Sequence, residues 1–313
     1  MKVLFLDVVH EVLRKELEAN SYECIDGTEL EREKVVPILS DVDGIVIRSR
    51  FKMDESLLKH AAKLKFIARS GAGMENIDET YCETREIKLF NAPEGNRNAV
   101  GEHALGMLLA LLNKLHVADR DVKKGLWQRE KNRGLELDGK TVGIIGYGNN
   151  GSSFAKKLTG FDVGILAYDK YKTGFSNDHV KECTLKVIFE EADVVSFHIP
   201  QNEETRFMCN KPFLNAFRKP IFLLNLSRGK IVETKALLDA INKEQVLGAG
   251  LDVLEYEKSS FENMFEGGMS KDFRKLLTSD QVILSPHVGG WTHESYRKLS
   301  QVLADKILTH FDS

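Results

Sequence analysis

The chain lacks most of the features that would place it in a special class. It has only four cysteines in 313 residues, Cys24, Cys82, Cys183 and Cys209, with no CxxC pair and no metal-ligand spacing. That argues against a disulfide scaffold or a zinc site and fits reduced thiols in a cytoplasmic protein. No one sign of charge dominates: 44 Lys plus Arg against 47 Asp plus Glu give a formal −3. Such a balance exerts no global pull toward nucleic acid or an anionic membrane. Long hydrophobic runs are missing too. The longest, residues 104–112, is nine residues with Gly106 inside it, against a need for about 20 to span a bilayer. The first residues reach Asp7 too soon for a signal peptide. Short-period repeats and low-complexity segments are also absent.

What is present describes an ordinary globular protein, with 42% hydrophobic and 29% charged residues. At roughly 150 residues per domain the length predicts two domains. Short apolar runs at residues 3–6, 44–47 and 66–68 read as strands, separated by amphipathic stretches at 11–18 and 56–64. The rhythm resumes after residue 140 with six runs: 141–145, 164–168, 193–197, 221–225, 248–252 and 281–284. Strands alternating with helices predict βαβ units and an α/β fold of two doubly wound parallel sheets. A last helix, 292–311, follows Pro286 and the Gly289-Gly290 pair. Residues 101–115 are apolar on every face over their middle, which predicts a helix buried on all sides. We read it as a subunit interface, with a purely internal helix as the competing reading.

The strand 141–145 runs into Gly146-Tyr147-Gly148-Asn149-Asn150-Gly151, and a helical pattern follows. In that setting GxGxxG carries a mechanism. Gly146 permits the tight turn, Gly148 lets backbone approach a pyrophosphate, and Gly151 lets the helix pack on the strand. The helix N-terminus then offers N–H groups to phosphate. The next strand ends at Asp169, 23 residues after Gly146. An acid there bonds the ribose 2′-OH and repels a 2′-phosphate, so the expected cofactor is NAD. Lys170 and Lys172 stand close by and would soften that selection.

Three later segments put polar residues at or just past strand ends, where ligands bind in open α/β sheets. They are Ser227-Arg228-Gly229, Leu251-Asp252-Val253 and Pro286-His287-Val288-Gly289-Gly290. With the fingerprint, in this order and at this spacing, they resemble the NAD-dependent D-2-hydroxyacid dehydrogenase family over essentially the whole chain. The resemblance implies a catalytic arginine at Arg228, a glutamate five residues after Asp252 at Glu257, and an acid–base histidine at His287. An arginine grips a carboxylate in a fork and polarises a ketone. A histidine moves the hydroxyl proton, and a carboxylate beside it orients the ring. Asp252 would hold the nicotinamide end, with His198, Pro200, Thr205, Gly289 and Gly290 among the cofactor's neighbours. Glu255 rivals Glu257, and only spacing separates them. His103 and His198 compete less well with His287: His103 sits on the buried helix, and His198, before Pro200, is expected to shape the cofactor pocket.

The resemblance also implies a substrate carboxylate bound by a glycine loop, here Ser70-Gly71-Ala72-Gly73, whose small residues expose N–H groups. Arg48-Ser49-Arg50 is similar to the phosphate-reading segment of D-3-phosphoglycerate dehydrogenases. So is the stretch 127–134 with Arg129, Lys131 and Arg133, from which some relatives lend a basic residue to the neighbouring subunit. A solvated basic face competes with this reading. Residues two apart on a strand face the same way, so Arg48 and Arg50 are expected to converge on one phosphate.

The favoured activity is therefore interconversion of 3-phosphoglycerate and 3-phosphohydroxypyruvate, the entry to serine biosynthesis. A hydroxypyruvate, glyoxylate or D-lactate reductase is the alternative enzyme, and an NADH-sensing corepressor-like protein the alternative class. The expected partners are a small-molecule substrate and a second copy of the chain, without nucleic acid, membrane or metal. The expected domains are residues 1–97 with 287–313 for substrate, flavodoxin-like, and 98–286 for the cofactor, a Rossmann fold. The chain departs from the family in several places. Asn149-Asn150 replaces a basic or histidine residue, Lys258 follows Glu257 where proline is common, residues 261–278 are long, and Trp291 stands where serine is common and would narrow the pocket. No regulatory domain follows residue 313, so control by serine is not expected.

Overall fold

The apolar runs near the N-terminus form strands because alternate residues bury on opposite faces of one sheet. In β1 (Lys2–Phe5), Val3 and Phe5 pack on one side and Leu4 on the other. The computed structural model describes residues 1–257 and 269–311. Packing divides the chain into one unit of Met1–Arg97 with Trp291–Ser313 and another of Asn98–Gly290.

In the first unit β1 is followed by α1 (Glu11–Ala19), β2 (Glu23–Asp26), α2 (Arg32–Leu39), β3 (Gly44–Ile47), α3 (Glu55–Leu58), β4 (Phe66–Arg69), α4 (Glu79–Thr84) and β5 (Lys88–Asn91). All strands are parallel in the order β2-β1-β3-β4-β5. This is the flavodoxin-like order, which reverses between β1 and β3, and the crevice beyond such a reversal is where these sheets bind ligands. The segments just past the strand ends there hold Asp7, Arg48, Arg50 and Ser70. The helix expected over 56–64 is only the single turn α3, started by the Asp54 carboxylate accepting the Leu57 N–H. The chain then turns, Ala61 N–H bonding Leu58 O, to bring Phe66 back to the sheet.

The second unit begins within α5 (Pro93–Leu112), which carries the chain across the boundary at Asn98. It contains α6 (Leu115–Lys123), β6 (Thr141–Ile145), α7 (Asn149–Leu158), β7 (Gly164–Tyr168), β8 (Val180–Glu182), α8 (Leu185–Glu191), β9 (Val194–Phe197), α9 (Lys211–Asn215), β10 (Ile221–Asn225), α10 (Thr234–Asn242), β11 (Val246–Leu251), α11 (Lys271–Thr278) and β12 (Val282–Leu284). The order β12-β11-β10-β9-β6-β7-β8 is parallel throughout and reverses between β6 and β9. The sheet has seven strands where six were expected, the addition being the three-residue edge strand β8. At the reversal Ile145 stands opposite Phe197, which sets Gly146 and His198 side by side. The last helix, α12 (His293–Phe311), belongs to the first unit and buries Leu299, Leu303 and Ile307 against β1, β3 and β4.

The second boundary falls at Gly290, four residues beyond the expected 286. The reason is local: the amides of His287, Val288 and Gly289 all bond to Asp252 and tie this segment to β11. α5 also departs from the expectation of burial on every side. Ala104 and Leu108 are buried, but Gly106 is exposed and Leu105, Leu109 and Ala110 are half-buried. Of the long stretch 261–278, residues 261–268 lie outside the described residues, as do 258–260 before it, and the rest includes α11. Among the described residues no helix is long and apolar enough to cross a membrane.

Candidate active site

The glycine turn is built as its spacing requires. Gly146 is buried with φ +93°, and a Cβ there would lie 2.5 Å from His198 O. A Cβ on Gly151 would lie 2.0 Å from Gly146 O, so only glycine lets α7 start this close to β6. Gly148 is exposed with open space over its Cα, which leaves room for a pyrophosphate beside the helix N-terminus. Asn149 opens α7. Asn150 Oδ1 and His198 Nδ1 are buried at this turn without hydrogen-bond partners among the described residues. These polar atoms and the open glycine fit a dinucleotide.

Asp169, the expected ribose reader, also holds the protein's own backbone. Its Oδ2 accepts the Tyr147 N–H at 2.8 Å, and its Oδ1 accepts those of Tyr171 at 2.9 Å and Lys172 at 3.0 Å. The carboxylate thus pins the glycine turn and keeps one Oδ2 lone pair for a hydroxyl. Neither neighbouring lysine is idle. Lys170 Nζ lies 2.6 Å from Glu204 Oε2, and Lys172 Nζ lies over the rings of Tyr147 and Phe175 at 5.4 and 5.9 Å. Past β9 the expected cofactor neighbours Pro200 and Thr205 close one loop, Thr205 Oγ1 donating to Pro200 O at 2.7 Å. His198 bonds Ser196 Oγ through Nε2 at 2.8 Å, and burial lowers its pKa to about 3. It therefore stays neutral and shapes the turn.

The three catalytic candidates come from three strand ends of the same sheet. His287 Nδ1 meets Glu257 Oε2 at 3.0 Å, and Glu257 Oε1 accepts the Leu254 N–H. That choice separates the two glutamates. Glu255 Oε2 accepts the Thr234 N–H at 2.9 Å and serves the start of α10. Arg228 follows β10, where Asn225 Nδ2 holds its carbonyl at 2.9 Å and its own Nη1 donates to Ser227 O at 2.7 Å. A Cβ on Gly229 would lie 1.8 Å from Leu254 O, so this glycine lets the arginine loop lie against the 254–257 turn. His287 has φ +56°. Its N–H donates to Asp252 O at 2.8 Å, which holds the left-handed backbone in place.

Asp252 is buried and satisfied by Ser285 Oγ, Val288 N and Gly289 N. His103 Nε2 in turn meets Ser285 Oγ at 2.9 Å. Sequence spacing gives His103 no such role, because Ser285 lies 182 residues away. Gly290 closes this turn at the unit's boundary. Among the described residues no group of three or more His, Cys, Asp or Glu is placed to hold a metal.

In the first unit the expected substrate residues are used differently. The side chains of Arg48 and Arg50 do not converge. β3 ends at Ile47, and the amides of Arg48, Ser49 and Arg50 wrap Asp7 Oδ2 at 2.7, 3.1 and 3.2 Å. The Arg50 guanidinium is spent on the carbonyls of Leu6, Gly27 and Thr28. Arg48 instead stacks on Trp291, its guanidinium carbon 4.0 Å from the ring centroid. It makes no ion pair among the described residues, and burial lowers its pKa. In the glycine loop the Ser70 and Gly71 amides are committed to Ile47 O and Arg69 O. Those of Ala72 and Gly73 make no hydrogen bond among the described residues. Ser70 Oγ of the expected loop, and Asn96 Oδ1 near the start of α5, which spacing did not single out, are buried without partners among the described residues. In the linker, Lys131 pairs with Asp121 at 3.2 Å and Arg133 with Glu130 at 2.8 Å, while Arg129 is exposed.

Comparison with known proteins adds to this geometry. Residues 105–289 match the family profile "D-isomer specific 2-hydroxyacid dehydrogenase, NAD binding domain". A D-3-phosphoglycerate dehydrogenase of Archaeoglobus fulgidus is 33% identical over 310 residues, 98% of this chain and 57% of that one. The chain thus spans little more than half the length of that relative. A hydroxypyruvate reductase of Thermotoga maritima is 33% identical over 283 residues, 90% of this chain and 89% of that one. A solved D-lactate dehydrogenase of Aquifex aeolicus, complexed with NAD and lactic acid, superimposes with TM-score 0.82 at 26% identity, covering 100% of this chain and 96% of its own.

Proposed function

Because the chain belongs to the D-isomer-specific 2-hydroxyacid dehydrogenase family and contains its NAD-binding domain, we propose that it interconverts a D-2-hydroxyacid and its 2-oxoacid with NAD. The favoured pair is 3-phosphoglycerate and 3-phosphohydroxypyruvate. NAD, when bound, supplies the hydride acceptor or donor. The protein's own groups do the rest. Arg228 would grip the substrate carboxylate and polarise the carbonyl. With Nδ1 on Glu257, His287 would give or take the hydroxyl proton at Nε2. Glu257 fixes the ring's orientation through Nδ1. Asp252, whose Oδ2 accepts the Gly289 N–H, would use the remaining lone pair of that oxygen for the nicotinamide amide. Within the first unit, the Ala72 and Gly73 amides, which make no hydrogen bond among the described residues, suit an anionic group.

The observation that carries the phosphate reading is Arg48. Its half-buried guanidinium makes no ion pair among the described residues and feels Asp7 only through space, which favours an anionic ligand, since charge is costly to bury unpaired. Of the Arg48–Arg50 pair Arg48 is the one available, because Arg50 is engaged with main-chain carbonyls. That engagement, with the 48–50 amides committed to Asp7, favours the second reading, an unphosphorylated hydroxypyruvate, glyoxylate or D-lactate reductase. The deciding measurement is kcat/KM with 3-phosphohydroxypyruvate and hydroxypyruvate for unmodified, Arg48→Ala and Arg50→Ala protein. Losing a charge-assisted bond of about 1.5–3 kcal/mol should cost Arg48→Ala roughly 10–150-fold on the phosphorylated compound. The loss on hydroxypyruvate should be small. Arg50→Ala should act on both alike. Better turnover of hydroxypyruvate by the unmodified protein would move the assignment to the second reading.

We further propose a homodimer. The half-buried outward side of α5 and the exposed Leu115, Val122, Leu126, Trp127 and Leu135 support it, as apolar surface of this kind marks an association site.

A further inference from the structure

The loop after β7 carries an arrangement that the glycine fingerprint does not require. Lys170, the residue after Asp169, donates to Glu204 Oε2 at 2.6 Å, and the Tyr171 hydroxyl donates to the same oxygen at 2.8 Å. Glu204 comes from the loop past β9, on the other side of the sheet's reversal point. Its own backbone is fixed, because Asn202 Oδ1 accepts the amides of Glu204 and Thr205, each at 3.0 Å. One carboxylate therefore fastens two loops and takes both the ammonium and the hydroxyl that follow Asp169. The hydrogen bond to Glu204 raises the Lys170 pKa, and the bond from Lys170 lowers that of Glu204, so both stay charged. The second lysine, Lys172, reaches the Tyr147 carbonyl at 3.4 Å and lies over two rings.

A ribose 2′-phosphate is a dianion sited beside the acid that ends the second strand, and a basic residue near that acid is what accommodates it. A lysine is a mobile point charge suited to that task. Lys170 has the right place in the chain for it, yet is held by an acid. We propose that Glu204 is a specificity-determining residue for the cofactor: it occupies Lys170 and Tyr171, so that neither is available to a 2′-phosphate. This inference rests on the NAD reading above and goes beyond Asp169 as its determinant. The pair is exposed on both sides, so breaking it costs little stability and the substitution reports on binding.

The test is equilibrium binding of NADH and NADPH, by calorimetry or fluorescence, to unmodified, Glu204→Gln, Lys170→Ala and doubly substituted protein. Thermal melts check that each variant is folded. Glu204→Gln should lower the ratio Kd(NADPH)/Kd(NADH) by about three- to tenfold. Lys170→Ala alone should leave the ratio near its starting value, and the double substitution should cancel the gain. An unchanged ratio in Glu204→Gln overturns the proposal. So does a gain that survives in the double variant, since bare repulsion by Glu204 would then explain it. Failure of the unmodified protein to bind NADH would defeat the cofactor reading itself.

Discussion

His287 occupies the left-handed region, where a residue other than glycine costs on the order of 1–3 kcal/mol, and its backbone is held there by Asp252 while its ring is held by Glu257. Such strain is kept where the position of a side chain matters. His287→Ala should lower kcat by about 10²–10⁴ with little change in NADH affinity, as loss of a positioned acid–base group does. Unchanged turnover would sink the assignment. Glu257→Gln should lower kcat less than His287→Ala does, because an amide oxygen can still hold the ring at Nδ1. Asp169 makes a different prediction, since it would read ribose and also pins Tyr147 N. Asp169→Ala should narrow the NAD/NADP gap and weaken NADH as well. A variant that gains NADP while keeping full NADH affinity would contradict the pinning role. His198 gives a stability test. Its pKa is about 3 in the fold and about 6.5 when unfolded. Between those values the unfolded chain binds the extra proton, so stability falls as pH drops, by up to about 1.4 kcal/mol per unit. His198→Gln should flatten part of that acid slope in urea titrations of the cofactor-free protein. An identical slope would show that His198 does not stay neutral in the fold.

At the scale of elements, two glycines should respond in opposite ways. Gly148 has open space over its Cα and an ordinary φ of −86°. Gly148→Ala should leave the melting temperature nearly unchanged yet weaken NADH binding, because the added methyl stands where the pyrophosphate approaches. Gly229→Ala drives a Cβ into Leu254 O. It should cost roughly 1–3 kcal/mol of stability and lower kcat, since it separates the Arg228 loop from the Glu257 turn. Calorimetric melts with NADH titrations distinguish the two patterns, and equal melting losses would refute the contrast.

The same scale explains what sequence could show. The glycine turn, Asp169 and the strands flanking them were legible because spacing along one βαβ unit fixes their geometry. β8 was not, for three residues at an edge have no period to detect. Nor was the end of α3, which is set by the return to β4. The fate of Arg50 depends on Leu6, Gly27 and Thr28, brought to it by the β2-β1-β3 order rather than by its neighbours in sequence. Glu255 and Glu257 have the same chemistry, and only the position of α10 tells which one caps a helix.

At the scale of the whole molecule, an apolar outward face on α5 and an exposed Trp127, 78% accessible, should not remain open to water. Light scattering should give twice the 35.3 kDa chain mass, and Trp127→Glu should shift the population toward monomer. A unit mass for the unmodified chain at micromolar concentration would contradict the dimer. Everything else rests on the claim that this chain reduces 2-oxoacids with NADH through His287. The most direct test is NADH oxidation by the purified chain with 3-phosphohydroxypyruvate, hydroxypyruvate, glyoxylate and pyruvate, alongside His287→Ala. The account predicts turnover that is best on the phosphorylated compound and lost in the variant. NADH binding without turnover on any of the four would contradict it and favour a sensor that only binds the cofactor.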